Sequence, residues 1–179
     1  MRRRDFMIVF GGAMAARPFP IRAQQAAATR FDHALADMKR AYAKMAHPDE
    51  AARADYISRL VRLREDVVRR KADTWKAIDA EVRQHPAPAD SDSKTLSGLI
   101  VGKWESPRHD YLYRADGTWT MYPVEEGITH GDWRIEGNQY FDSAAADPQQ
   151  TSQYTIILIS KSDFVFADQA YVFYETRLK

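Results

Sequence analysis

Gly98-Leu99-Ile100-Val101-Gly102-Lys103-Trp104 separates two parts of the chain that differ in composition. Before this stretch, residues 29–84 contain no glycine and one proline, Pro48, and are rich in alanine and arginine. After it, short runs of aromatic and β-branched residues alternate with turn residues. The first composition favours helices and the second favours strands. The sequence therefore predicts an α+β fold, with helices first and a β-sheet over residues 98–179.

The C-terminal part predicts an up-and-down antiparallel sheet. Asp116-Gly117 is a strong signal for a two-residue hairpin turn, and Trp119 and Met121 alternate with polar residues as a half-buried strand requires. The candidate strands lie at about 99–106, 109–115, 118–123, 129–136, 138–143, 151–160, 163–167 and 170–178. A long meander curls, and closing it into a barrel removes its two exposed edges.

The two ends of this predicted sheet carry the residues of a family pattern. Gly102-Lys103-Trp104 opens the first strand, and Arg177 lies near the end of the last. The pair resembles the lipocalin (calycin) pattern, and Gly131-Asp132-Trp133 after Asp116-Gly117-Thr118 is similar to small bacterial lipocalin-like domains. The resemblance implies that Trp104 lies at the closed end of the barrel, with the Arg177 guanidinium packed across its ring as a cation–π contact.

The resemblance also implies a function, the non-enzymatic binding of a small apolar ligand or lipid inside the barrel. The residues expected to line the pocket are Trp119, Met121, Trp133, Tyr140 and Phe166. The strands predicted here are shorter than those of full lipocalins. The aromatic interior therefore has two interpretations, a pocket or a core that side chains fill completely.

The part before residue 85 predicts a helical hairpin over residues 24–84. Apolar residues recur at spacings of four, three, four and three in the order Phe31, Leu35, Met38, Tyr42 and Met45. This spacing predicts one helix over about residues 29–46. His47-Pro48-Asp49-Glu50 indicates a break and a new helix start, since proline and acidic residues suit a first turn. The second helix is predicted over about residues 49–84.

The two predicted helices have unequal lengths of roughly 27 Å and roughly 54 Å. The shorter one covers only half of the longer one, so Trp75, Ile78 and Val82 need another partner. That partner is the barrel of the same chain, a second copy of the chain, or a different protein. The last two possibilities predict an alternative function, an envelope interaction module (an inhibitor or assembly factor) that acts through the exposed half of the second helix.

Residues 85–97 predict a linker between the hairpin and the barrel. Pro86 and Pro88 alternate with small or polar residues, and no large apolar side chain occurs from residue 85 to residue 94. Such a composition is typical of an extended, solvated tether.

Residues 1–23 have the three parts of a secretory signal, with an arginine cluster, a short apolar run and a small-residue end at Ala23. Arg3-Arg4-Asp5-Phe6-Met7 resembles the bacterial twin-arginine export motif. The alternatives are an ordinary secretory signal and a retained N-terminal anchor, although the apolar run is too short to span a bilayer. The sequence predicts a periplasmic protein, cleaved after Ala23, whose mature chain has no transmembrane segment.

Few residues carry a signal for chemistry. The chain has no cysteine, which excludes disulfides and thiol catalysis, and its net charge of +1 gives no reason to expect nucleic acid as a partner. No histidine lies in a metal-type spacing. His109 beside Asp110, and His130 two residues from Asp132, are the nearest approach to a base with an orienting carboxylate. We therefore expect no enzymatic activity, no cofactor and no metal.

Overall fold

A computed structural model of the chain describes residues 19–123 and 129–179. Most of the predicted signal peptide falls on residues 1–18, which lie outside the described residues. The helices are α1 (Phe19–Ala43), α2 (Glu50–Arg69), α3 (Trp75–Arg83) and α4 (Ser93–Ile100). The strands are β1 (Gly102–Glu105), β2 (His109–Tyr113), β3 (Thr118–Pro123), β4 (Thr129–Glu136), β5 (Gln139–Ala144), β6 (Thr151–Ile159), β7 (Asp163–Ala167) and β8 (Val172–Arg177).

The strands form a closed antiparallel barrel in sequence order from β1 to β8. Each strand pairs with the next, and β1 closes the barrel by pairing with β8 over two positions, Trp104 with Arg177 and Glu105 with Thr176. The predicted α+β fold, with helices ahead of an up-and-down barrel, is confirmed. Inward side chains alternate with outward ones, as in the buried–exposed pattern of β4 from Gly131 to Glu136.

The predicted tether differs from the structure, because its second half is the helix α4. The Asp92 side chain caps α4 by accepting hydrogen bonds from the backbone N–H groups of Lys94 and Thr95, both at 3.2 Å. The first half is also bound to the barrel, since the Ala87 N–H donates to the Ile156 carbonyl at 2.9 Å. The segment is therefore structured, and α4 packs against β4 and β6 at one end of the barrel.

The predicted second helix is broken into α2 and α3. The break lies at Lys71, which has a φ of 55°, and the Ala72 N–H donates to the Val67 carbonyl at 3.0 Å. A left-handed residue just past the last turn is a common way for a helix to end. The break lets α3 turn along the barrel instead of continuing past it. The start of α2 is capped by the Asp49 side chain, which accepts from the Ala52 N–H at 2.8 Å.

The helices α2 and α3 lie on the outside of strands β6 to β8. Ile78 and Val82 of α3 are completely buried in one apolar cluster with residues of α2 and with the outward side chains of the strands. The outward strand residues in this cluster are Ile157, Leu158, Val165, Ala167 and Val172. Of the partners considered from the sequence, the structure shows the barrel of the same chain. The helix α1 packs on α2 and adds Phe31 and Leu35 to the cluster.

Polar contacts fix the orientation of this helical layer on the barrel. The Arg53 guanidinium donates to the carbonyls of Ile157 and His85, both at 2.7 Å. The Tyr174 hydroxyl donates to Asp79 Oδ1 at 2.8 Å, and Arg64 Nε donates to the same oxygen at 2.6 Å. These hydrogen bonds are directional, so they fix one position of the helical layer on the barrel, which a purely apolar contact would not do.

The Ile78→Ala substitution is expected to lower the free energy of unfolding by about 2–5 kcal/mol, because it leaves a cavity in the cluster between α3 and the barrel. Val68→Ala on α2 is the matched control, since Val68 is 48% exposed and Ile78 is 0% exposed. The control is expected to change stability by less than about 0.5 kcal/mol. Urea unfolding measures both values. Equal effects from the two substitutions would show that α3 is not docked on the barrel.

Candidate ligand-binding site

One end of the barrel is closed by α4 and by the Trp104–Arg177 pair. Trp104 is completely buried, and the Arg177 guanidinium carbon lies 4.2 Å from the centre of its ring. This is the contact that the family resemblance implies. Arg177 also donates to the carbonyls of Val101 (2.9 Å) and Leu99, at the C-terminal end of α4, where a cation is favoured. The indole N–H of Trp104 donates to the Ile100 carbonyl at 2.6 Å.

The interior next to this closed end is a packed aromatic core. Phe164 lies edge-on to Trp104 at 5.9 Å, to Tyr113 at 6.1 Å and to Tyr140 at 5.5 Å between ring centres. The structure brings the predicted pocket residues into this one cluster, in which Trp119, Trp133, Tyr140 and Phe166 are buried and Met121 is partly buried. For this half of the barrel, the interpretation as a filled core describes the structure.

A cavity of about 560 Å³ lies in the other half, beside β8. It opens there because β1 pairs with β8 only as far as Glu105 and Thr176, so the earlier residues of β8 have no partner on that side. The inward side chains around it are those of His109, Tyr111, Phe166, Phe173 and Glu175. Of the residues predicted to line a pocket, Phe166 borders this cavity, while Trp119, Met121, Trp133 and Tyr140 do not.

Glu175 is the most unusual group of the cavity. It is 5% exposed, its Oε1 accepts from the Tyr113 hydroxyl at 3.1 Å, and its Oε2 has no hydrogen-bond partner among the described residues. Burial raises the pKa of the Glu175 carboxyl to about 8; the Tyr113 hydrogen bond lowers it somewhat, and the nearby Asp142 charge adds to the rise. A carboxyl group held in this way is costly for the fold, and such groups concentrate at functional sites.

His109 is the second unsatisfied group at this cavity. Its Nδ1 is buried without a hydrogen-bond partner in the described part of the chain. The strand position of His109 is fixed by its carbonyl, which accepts from the Ser106 N–H at 2.8 Å and from the Ser106 hydroxyl at 3.0 Å. Asp110, the next residue of β2, is exposed and on the opposite face, so it does not orient His109. His130 and Asp132 are both exposed on β4.

Asp142 of β5 is a second inward carboxyl group. Burial raises the pKa of Asp142 to about 6, although its hydrogen bonds with Tyr140 and Ser152 act in the opposite direction. The Tyr140 hydroxyl donates to Asp142 Oδ2 at 3.3 Å. The described interior therefore combines aromatic rings with two carboxyl groups.

Glu175 was not among the residues expected from the sequence. The alternation of β8 contains the signal that identifies it, because Phe173, Glu175 and Arg177 are spaced by two and share one face of the strand. Since Arg177 was expected inside the barrel, Glu175 follows as an inward carboxyl group.

The residues predicted as a protein-interaction surface are covered. Ile78 and Val82 lie beneath α2 and against the barrel, and Trp75 is partly buried with the Arg64 guanidinium 6.0 Å from its ring centre. Within residues 19–123 and 129–179, no cluster of three or more histidine, aspartate or glutamate side chains is arranged to hold a metal. No helix of these residues is both long enough and apolar enough to cross a bilayer.

Neither the protein-family models nor the curated proteins contain a match to this chain.

Proposed function

We propose that this chain is a lipocalin-like binding protein that holds a small ligand with an apolar or aromatic body in the cavity beside β8. The observation that carries the proposal is the cavity of about 560 Å³, whose inward wall includes Tyr111, Phe166 and Phe173. Concave sites of this size, lined by aromatic side chains and a few polar groups, are typical of small-molecule binding.

The aromatic side chains that line the cavity are packed against one another, which supports a preformed binding site. The Phe173 ring stacks on Phe166 at 5.0 Å, and the Tyr154 ring lies edge-on to Phe173 at 5.4 Å between ring centres. Rigid aromatic walls of this kind lose little conformational entropy when a ligand binds. The packed core around Trp104 acts as the floor of the site and holds the wall residues in place.

A non-enzymatic role has the better support. His109 is the one histidine at the cavity among the described residues, and its neighbour Asp110 lies on the other face of β2. The His109 Nδ1 atom has no hydrogen-bond partner among the described residues, so no carboxylate or nucleophile is bonded to that atom as acid–base or covalent catalysis usually requires. We also propose that the protein is exported to the periplasm, and the support for this is Arg3-Arg4-Asp5-Phe6-Met7 with the apolar run that follows.

The alternative function, an envelope interaction module acting through the second helix, has lost its main support. It required Trp75, Ile78 and Val82 to be uncovered, and two of these three side chains are completely buried within the same chain. The helical layer has a simpler role, because it covers the apolar outer face of β6 to β8 and so braces the strands next to the cavity.

Ligand binding is tested with a panel of apolar and aromatic compounds that includes octanol and phenethyl alcohol. At least one of them is expected to raise the melting temperature and to bind in calorimetry. Phe173→Ala is expected to weaken that binding at least tenfold, because it removes an aromatic wall worth about 1.5–3 kcal/mol of apolar contact. Tyr122→Ala is the control, since Tyr122 is an exposed aromatic residue of β3 away from the cavity. A folded protein that responds to no compound in a broad panel would rule out the proposed function.

A further inference from the structure

We propose that the ligand of this cavity is an organic cation, a protonated primary amine on an apolar or aromatic body, whose ammonium group binds between Glu175 and His109. This inference rests on the proposed function and adds the chemical class of the ligand. It departs from the expectation of a purely apolar ligand or a fatty acid.

Two buried polar atoms without a partner among the described residues favour a ligand with several N–H donors. Glu175 Oε2 on β8 and His109 Nδ1 on β2 are both buried, both without a partner among the described residues, and both belong to residues that border the same cavity. Nδ1 of a neutral histidine accepts a hydrogen bond when the proton is on Nε2. Leaving such groups unsatisfied destabilises the folded protein, because each has lost its hydrogen bonds to water. A primary ammonium has three N–H donors, which is enough to satisfy both groups at once.

The negative charge of the inward carboxyl groups also favours a cationic ligand. Glu175 and Asp142 face inward, whereas the inward guanidinium of Arg177 is at the closed end, bound to backbone carbonyls and to the Trp104 ring. The ionised form of these two carboxyl groups would repel a ligand carboxylate and attract an ammonium group. Fatty acids are therefore disfavoured by the same group that favours amines.

The aromatic lining of the cavity favours a cation as well. The rings of Tyr111, Phe166 and Phe173 surround the space next to Glu175. Aromatic faces attract ammonium groups, and the attraction is stronger when the cation is removed from water. The two arginines at the rim do not reverse this preference. Arg64 is paired with Asp79 at 2.6 Å, and Arg108 is exposed, where solvent and salt screen its charge.

Proton linkage provides an independent signature. Because burial raises the pKa of Glu175 to about 8, this carboxyl group is mostly protonated at neutral pH in the free protein. An ammonium group favours the ionised form, so binding is accompanied by release of a proton, and affinity increases as the pH rises towards 8. The titratable groups around Glu175 are Tyr111, Tyr113 and His109 of β2 and Tyr140 and Asp142 of β5. The tyrosines do not titrate in this range because burial raises the pKa of each, and deprotonation of Asp142 changes the affinity in the same direction.

The test uses the full chain and three compounds that share one phenylethyl body: phenethylamine, phenethyl alcohol and hydrocinnamate. At neutral pH, phenethylamine is expected to bind at least tenfold more tightly than phenethyl alcohol, and hydrocinnamate is expected to bind most weakly. Calorimetry in two buffers of different ionisation enthalpy is expected to show release of most of one proton per bound amine. Octylamine, octanol and octanoate form a second matched set in case the site prefers an aliphatic body.

Glu175→Gln assigns the effect to this residue. Glutamine keeps the acceptor for the Tyr113 hydroxyl but cannot ionise, so amine affinity is expected to fall at least tenfold. Proton release and the preference for phenethylamine over phenethyl alcohol are expected to disappear. Glu136→Gln is the control, because Glu136 is an exposed glutamate of β4 outside the cavity. Thermal unfolding shows whether each variant is folded. Proton release is measured on the unmodified chain, so that test does not depend on the folding of any variant.

The outcomes separate this inference from the proposed function. Binding of the alcohols or carboxylates that equals or exceeds amine binding overturns the organic-cation proposal and leaves a binding protein with a different ligand class. Amine binding that is unaffected by Glu175→Gln, or that releases no proton, also overturns it. If neither matched set binds and the broad panel fails as well, the proposed function fails first, and the ligand class falls with it.

Discussion

Trp104→Ala is expected to lower the free energy of unfolding by about 3–5 kcal/mol. Trp104 is completely buried, its ring supports the Arg177 guanidinium at 4.2 Å, and its indole N–H binds the Ile100 carbonyl at the end of α4. Removing the ring leaves a cavity where three elements meet, β1, β8 and α4. It also leaves the guanidinium without its aromatic partner at the one place where β1 closes the barrel.

Equilibrium urea unfolding measures this effect. Tyr122→Ala removes an aromatic side chain of comparable size from the exposed face of β3 and is expected to cost less than about 0.5 kcal/mol. Arg177→Lys keeps the charge but loses the planar fork that reaches two carbonyls, so its cost is expected to lie between the other two. A Trp104→Ala effect below about 1 kcal/mol would contradict the assigned role of this pair as the closure of the barrel.

The two Gly-x-Trp motifs are the part of the structure that the sequence predicts best, and their glycines explain why. Gly102 has a φ of 139°, and a Cβ at this position would collide with the Arg177 guanidinium. A Cβ on Gly131 would collide with the Ser143 carbonyl and the Trp119 ring. In both motifs, glycine therefore provides clearance for a large group that crosses the strand. A motif that encodes a steric requirement of this kind can be recognised from residues alone.

The helix α4 could not be predicted in the same way. Leu96, Leu99 and Ile100 form a short apolar run, and a run of this length is typical of a strand as much as of a helix. The position of this segment favours the helix, because α4 covers an end of the barrel that would otherwise be open. Ile100 is completely buried there. That requirement arises only once the barrel exists.

The docking of α3 was left open by the sequence, although the strands contain an indication of it. In β7, the residues Phe164, Val165, Phe166 and Ala167 are a continuous apolar run, without the alternation of a strand that faces water on one side. Such runs indicate strands that are covered on both faces. The outward residues Val165 and Ala167 indeed lie beneath the helical layer. The sequence alone shows that a cover is needed, but the identity of that cover depends on the three-dimensional path of the chain.

The position of the cavity is harder to predict from the sequence than either α4 or the docking of α3. The cavity exists because β1 has four residues and β8 has six, so that β8 has an unpaired edge beyond Glu105. Strand ends are the least regular feature of a sequence, so the residues alone do not predict where such an open space lies. The five residues expected to line a pocket belong to the aromatic cluster inside the barrel, whereas the open space lies beside the unpaired part of β8.

Glu175→Gln is expected to increase the free energy of unfolding by about 2–4 kcal/mol at about pH 8 and to leave it nearly unchanged at about pH 5. The folded-state pKa of Glu175 is raised from 4.5 to about 8, so between these values the folded chain retains a proton that the unfolded chain releases. Because the folded state binds more protons, stability falls as the pH rises through this window. Glutamine cannot release a proton, and therefore removes this loss while keeping the acceptor for Tyr113.

Urea unfolding between about pH 5 and about pH 8 tests this prediction against Glu136→Gln, the exposed control, which is expected to follow the unmodified chain throughout. A second buried carboxylate, Glu81, has the opposite effect. Burial raises its pKa, but its bonds to Lys39, His85 and Tyr56 outweigh burial and lower it, so its contribution is lost only at more acidic pH. If Glu175→Gln is less stable than the unmodified chain across the whole range, the carboxylate stabilises the empty fold. If it is more stable and no longer binds the amine, the chain retains a destabilising group because the ligand requires it.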